Sequence, residues 1–458
     1  MARSHRPFAA RASRLPWPGL LALFLIVPAA VFAMGQFSGN TDESAAINYT
    51  NTQPTDPVAQ LQKRVDSGQA TLTYEPKHGY LASVLKDLHV PIDSQGLVFS
   101  RTSLQVDFIA PWTPRALYYN DDVYVGYVQN GPIMEIASVD PNLGAIFYTL
   151  KQQPSAHPTF ERQGATCLQC HDSASTTGGV PGFIMRSVYS DKFGYPIDTP
   201  DGTTTDATPW EHRWGGWYVT GTHAPAPTMG NMMAPMTLHD IGNVPNYIAN
   251  VKLPTGSVTD LSSKFDTSAY LAPGSDIVAL LVLAHQTHVH NLITMANYDT
   301  RKALYTEKLA DVEMGTTADG QHSPLTMMRV KGAADRLARG MMFARDASFP
   351  GPVKGTSGFA EEFQARGPKD RQGRSLRDLD LQTRLFKYPL SYLVYSDDFD
   401  ALPQLVKGFV YQRIFDVLSG QDKNPDYDEF SAADKKAALD ILEETKPDFA
   451  AFSSTARQ

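Results

Sequence analysis

The run Cys167-Leu168-Gln169-Cys170-His171 constrains this chain more than any other segment. C-x-x-C-H is the spacing by which haem is attached covalently to protein, with two thioethers fixing the vinyl edge of the porphyrin. The histidine that follows is then placed to reach the iron from one face. These are the only two cysteines among 458 residues. A structural zinc site needs four ligands, usually drawn from two such half-sites, and no cysteine exists to supply the second pair. A dithiol redox motif would leave His171 without a task. The expectation is one covalent haem c, held by Cys167 and Cys170 with His171 as iron ligand.

The amino terminus carries Arg3, Arg6, Arg11 and Arg14 ahead of an apolar run from about Gly19 to Met34, with no acidic residue before Asp42. That is the layout of a signal peptide over 1–33, and Val31-Phe32-Ala33 offers the small residues that a signal peptidase reads, with cleavage after Ala33. The alternative is an uncleaved membrane anchor, although Pro28 interrupts the apolar run. Either way the body of the protein is expected outside the cytoplasm, in the periplasm, because the arginines hold the amino end inside. Removing four arginines leaves 36 Lys+Arg against 48 Asp+Glu, so the net charge goes from −8 to −12. Such a field steers basic redox protein partners towards the chain, and the absence of any polybasic stripe argues against nucleic acid as a partner. With both cysteines inside the haem motif there is no disulfide framework, and stability is expected from the core that 42% hydrophobic content can build.

Residues 34–58 are polar and lack apolar periodicity, which predicts a flexible tether. Tyr80 to His89 reads as a short helix, after which the pattern changes to period two. Val123 to Val128, a turn at Asn130-Gly131, Ile133 to Val139, a turn at Asp140-Pro141-Asn142 and Ala145 to Leu150 predict an antiparallel β-meander. The expected fold class is therefore α+β, a mostly helical haem region embedded in a larger body with that meander. The divisions are an α+β region over 59–155, a haem c-binding region over 156–345 and a helical region over 346–458. Gly274-Ser275-Asp276 caps a helix from Ile277 to Met295, Leu402 to Leu418 forms another, and Ser431 with Asp434 opens one that Pro447 ends. The Gly, Lys, Arg and Asp rich stretch from Gly351 to Arg377 predicts a surface loop.

Tyr119-Asn120-Asp121-Asp122-Val123-Tyr124-Val125-Gly126, the haem motif, Trp214-Gly215-Gly216-Trp217-Tyr218-Val219-Thr220-Gly221-Thr222-His223 and Leu385-Phe386-Lys387-Tyr388-Pro389 together carry a resemblance. From about Tyr80 to Phe449 the chain resembles a group of large, exported bacterial proteins with a single-haem cytochrome c domain. The resemblance implies a cytochrome and assigns no substrate. The chain has Thr228 where members of that group often carry a histidine.

Gly178-Gly179-Val180-Pro181-Gly182 follows His171 closely, and the Pro181 carbonyl is expected to accept from the imidazole nitrogen not bound to iron. The bland reading of Val180-Pro181-Gly182 is a turn. Three sources exist for a second axial ligand: His223, the cluster Met229, Met232, Met233 and Met236 with Met229 foremost, and the helix histidines His285, His288 and His290. At 100° per residue His285, His288, Leu292 and Met295 share one face, and His290 lies off it. An open position is the remaining case. Trp210, Trp214, Trp217 and Tyr218 are expected to wall the haem crevice, with Trp217 against the cofactor, or else to form an ordinary aromatic core.

Two function classes follow. In the first the protein is an electron carrier with both axial positions filled. In the second the haem is catalytic, peroxidase- or oxygenase-like, with an open distal site and a distal acid or base such as His223, His285 or His290. The sequence contains no Gly-x-Gly-x-x-Gly, phosphate loop, Gly-x-Ser-x-Gly or His-Glu-x-x-His, which leaves nucleotide enzymes, serine hydrolases and zinc proteases without support.

Overall fold

Alternation of inward and outward residues between 115 and 151 builds the centre of the protein. The computed structural model describes residues 43–199, 202–235, 242, 244–314 and 321–457. The expected signal segment and its cleavage site lie outside the described residues. Strands β1 (Gly96–Val98), β2 (Arg115–Tyr119), β3 (Val123–Tyr127), β4 (Ile133–Asp140), β5 (Gly144–Lys151) and β6 (Glu161–Gln163) are followed by a small hairpin of β7 (Tyr189–Ser190) and β8 (Pro196–Asp198). β9 (Trp217–Tyr218) then returns to the main sheet, whose order is β6-β5-β4-β3-β2-β1-β9 with every pair antiparallel. A third, two-stranded sheet joins β10 (Gly221–His223) to β11 (Val353–Gly355).

The predicted meander is β3, β4 and β5, and its turns work as expected. Asn130 takes a left-handed backbone, with φ of 58°. The Asp140 carboxylate accepts the backbone N–H of Asn142 and Leu143, closing the second turn.

The helices, eleven among the described residues, pack on both faces, so the chain is α+β with a seven-stranded antiparallel sheet. α1 (Pro57–Asp66) and α2 (Leu81–Asp87) cover one face. Asp56 caps α1 by accepting from the backbone N–H of Val58 and Ala59, and its second oxygen accepts the Tyr148 hydroxyl of β5. α3 (Ala165–His171) and α4 (Val244–Asn250) are short. α5 (Ile277–Met314) crosses the opposite face of the sheet. Tyr119 donates to the Ala279 carbonyl, and Gln286 donates to the Tyr124 hydroxyl. Asp276 starts α5 by accepting from the N–H of Val278 and Ala279. The helix is long and apolar enough to cross a membrane, yet 89% of its most apolar window is buried within the protein. It runs well past the expected end at Met295, because residues 296–314 contain neither Gly nor Pro.

Behind α5 lie α6 (Pro324–Met341), α7 (Phe359–Ala365), α8 (Asp397–Asp400), α9 (Gln404–Leu418), α10 (Ala432–Thr445) and α11 (Pro447–Ala456). One continuous core extends from Ile47 to Phe449, and β9, from the expected haem region, closes the sheet that the amino-terminal region begins.

Two expectations need correction. Residues 43–58 are no tether: Ile47 and Tyr49 are buried, and the Tyr49 hydroxyl donates to the Ala145 carbonyl. Arg162 and Arg301 hold it as well, donating to the carbonyls of Tyr49, Thr52 and Ala46. The Gly351 to Arg377 stretch is likewise not a surface loop, since it contains β11 and α7 and buries Phe359, Phe363 and Leu376. Its polarity comes mainly from side chains that stay exposed, such as Lys354, Glu361, Glu362, Lys369 and Arg371, while the buried Arg377 stacks over Phe363 and Tyr392 and pairs with Asp121.

Candidate functional site

α3 is a seven-residue helix that carries the whole Cys-x-x-Cys-His run. At 100° per residue Cys167, Cys170 and His171 fall within one third of its circumference. Both thiols are unpaired, Cys167 partly buried and Cys170 exposed. Burial and the nearby Glu135 carboxylate push the Cys167 thiol up to about 11. Cysteines that act as redox nucleophiles have their thiolates stabilised, so this environment disfavours a dithiol exchange motif.

His171 is held from two sides. Its Nδ1 lies 2.9 Å from the Gly182 carbonyl, and the Gly182 N–H donates back to the His171 carbonyl at 2.9 Å. A carbonyl only accepts, so Nδ1 carries the proton and the lone pair is left on Nε2. Burial lowers the affinity of the ring for a second proton, and the positive charges of Arg115 and Arg186 act in the same direction. The ring of Phe147 lies 4.6 Å away, between centroids. The result is a neutral, oriented imidazole of the kind that ligates metals, with a carbonyl behind it.

That carbonyl belongs to Gly182 and not, as expected, to Pro181. The Pro181 carbonyl instead accepts from Ala145 N–H at the start of β5. Gly182 makes the contact because it lacks a side chain: a Cβ there would lie 2.4 Å from Asn291 Oδ1. Asn291 of α5 closes the loop by accepting from Phe183 N–H and donating to the Phe183 carbonyl, both at 2.8 Å.

Beside α3 stands the sheet face that α5 covers further along. Residues directly opposed across antiparallel strands share a face. Tyr119, Tyr124, Ala137, Phe147 and Gln163 make one row, and Leu117, Gly126, Glu135 and Thr149 make the next. Arg115 lies in the row beyond, opposite Val98, which is itself opposite Trp217. Trp217 thus belongs to the same face as the residues beside His171, and its indole donates to the Arg186 carbonyl. Trp210 and Trp214 are T-stacked on each other, and Trp210 also packs on Phe349, so these two belong to a separate aromatic cluster.

The expected distal residues are not assembled at His171. Gly221 packs on Ile277 and Gly182 on Asn291. Those contacts are fourteen helical residues apart, or roughly 21 Å along α5. His223, two residues beyond Gly221, therefore sits far along the helix from the haem motif, with its Nδ1 on the Ala224 carbonyl. Met229 is fully buried, and its sulfur accepts the Ser187 hydroxyl. Met232 and Met233 are partly buried, and Met236 lies outside the described residues. Met295 packs against Gly178 in the loop that follows α3.

His285 and His290 are fully engaged elsewhere. His285 bridges Asp206 at 2.8 Å and Ser391 at 2.7 Å. This line of acid, imidazole and hydroxyl resembles a hydrolase triad, but Ser391 is fully buried and accepts from Leu393 N–H, so it joins α5 to the carboxyl-terminal region. His290 faces the Asp398 carboxylate at 2.7 Å and the Asp121 carbonyl at 2.9 Å. Both neighbours accept, so the ring is an imidazolium; against the opposing effect of burial, the Asp398 charge raises it to about 9. His288 lies towards α6 beside Gly340.

Sequence reading missed Arg115, Glu135, Phe147 and Asn291. The first three had a usable signal, since strands paired through known turns place them on one face. Among the described residues no group of three or more His, Cys, Asp or Glu side chains is arranged to hold a metal ion. A bare ion would find one imidazole here, whereas a porphyrin brings four nitrogens of its own. Two free thiols, one oriented lone pair and a buried Arg115 Nε without a partner fit that group. No family model, curated protein or solved structure matches the chain.

Proposed function

We propose that the protein is an exported, periplasmic c-type cytochrome with one covalent haem that passes single electrons between redox protein partners. One observation carries the reading: the His171 ring donates through Nδ1 to Gly182 and keeps its Nε2 lone pair, on the same helical turn as two unpaired thiols. The haem supplies the ferric and ferrous couple. Cys167 and Cys170 anchor it, and His171 ligates the iron with its ring direction fixed by Gly182 and Phe147. The hydrogen bond to Gly182 raises the basicity of the ligand nitrogen, which favours the ferric state. Asn291 keeps the loop that bears Gly182 in register with α5. The haem region is the cytochrome c-like part of a larger body, and the acidic field of the whole chain attracts basic partners.

A second reading is an oxidoreductase with an open sixth position. It is favoured by the placement of His223, Met229, His285 and His290, each engaged away from His171. Absorption spectroscopy of the oxidised protein separates the two. A low-spin spectrum unchanged by cyanide supports the carrier, and a high-spin spectrum that cyanide converts supports the enzyme. A protein without any haem absorption contradicts both.

A further inference from the structure

We propose that Arg115 receives the carboxylate arms of the porphyrin, and that Gly126 is bare so that the guanidinium can lie flat on the sheet to do so. This rests on the haem reading above. The thioethers at Cys167 and Cys170 hold the vinyl edge, so the edge that bears the two propionates points away from α3.

Arg115 is built for that edge. Its side chain leaves β2, crosses Gly126 of β3 and reaches towards Glu135 of β4, where its Nη2 stops 3.8 Å from the carboxylate. A Cβ on Gly126 would lie 2.8 Å from Arg115 Nε and 2.9 Å from Nη2. Glu135 meets the guanidinium only through Oε2, at 3.8 Å and so beyond hydrogen-bond distance, while its Oε1 accepts from Gln105 Nε2 at 3.0 Å. Arg115 Nε is buried and has no acceptor. A buried donor left unmade is costly, and it persists where a ligand completes it. The missing partner is an anion: the planar fork of arginine matches a carboxylate through two parallel hydrogen bonds. Arg186, whose carbonyl holds Trp217, also acts on the same imidazole, and the two arginines against the single Glu135 carboxylate leave positive charge in excess there, which suits an anionic ligand.

The test uses the exported holoprotein in four forms, wild type, Arg115→Gln, Arg115→Lys and Gly126→Ala, with resonance Raman spectroscopy of the haem propionate bending vibration. The Gly126→Ala form keeps the charge and only displaces the flexible end of Arg115, so it reports even if Arg115→Gln folds poorly. The expected result is a shift of the propionate band in Arg115→Gln and in Gly126→Ala, a smaller one in Arg115→Lys, and an unchanged haem content per chain. A propionate band at the wild-type position in both Arg115→Gln and Gly126→Ala overturns the proposal with the haem reading intact. A wild-type protein with no haem band overturns the haem reading, and the proposal falls with it.

Discussion

As side chains His171 and His290 are the same imidazole, yet in this fold they are opposites. His171, at the end of α3, has one nitrogen on a carbonyl and the other left with its lone pair. His290, in the middle of α5, has acceptors on both nitrogens and carries a buried positive charge. Phe183 lies between the two environments, packed at a tilt on Tyr124 and 6.0 Å from His290 while its backbone is held by Asn291. The contrast teaches that a histidine is available for chemistry only where the surrounding groups leave it a lone pair. In this protein His285 and His290 are used up in holding the layers together.

The largest expected effect breaks the structural side of that contrast. Asp398→Ala leaves the His290 charge buried without its carboxylate, and the loss is expected to be about 3–5 kcal/mol. Denaturant unfolding of the variant measures it, and a loss below about 1 kcal/mol would show that His290 is neutral. Asn291→Ala comes next, because it removes both hydrogen bonds to Phe183; unfolding should show a loss of about 1–3 kcal/mol. Spectroscopy of the haem in the same variant should show a disturbed His171, since the Gly182 loop is released.

The third prediction concerns pH. The folded-state value for His290, about 9, lies above the ordinary 6.5, so its contribution to stability is complete below pH 6.5 and is lost as pH rises towards 9. Asp122 acts with the same sign at lower pH: burial raises it from 3.8 to about 7, so its carboxyl costs stability as pH rises through that window. Melting temperatures from pH 6 to 9.5 should therefore fall, and His290→Gln should flatten the upper part of the curve. The smallest effect lies on the chemical side. In the haem-free chain Cys170→Ser should change stability by no more than about 0.5 kcal/mol, because the thiol is exposed and unpaired. The same change should remove one thioether from the holoprotein, which mass analysis of the haem peptide detects.

Legibility followed the range over which each signal acts. The meander was readable because Asn130-Gly131 and Asp140-Pro141-Asn142 act within a few residues and the alternation between them is local. The start of α5 was readable for the same reason, with Asp276 two and three residues from the groups it caps. The Cys-x-x-Cys-His run is itself local, and it lies on the single short helix α3. What could not be read were pairings across the chain: His285 finds Asp206 and Ser391 at separations of 79 and 106, and His290 finds Asp398 at 108. No spacing rule connects such residues, so the sequence leaves the helix histidines open as ligands. The proximal carbonyl was missed by one residue, Gly182 for Pro181, because that choice depends on β5 and Asn291 on either side of the loop.

The central claim is a porphyrin bonded through sulfur to α3. The most direct measurement is the intact mass of the purified polypeptide after denaturation and acid extraction, with the absorbance of each fraction recorded. The account predicts one haem per chain remaining with the protein, and its loss when Cys167 and Cys170 are both replaced by alanine. A polypeptide of unmodified mass, with the colour extracted or never present, would contradict it.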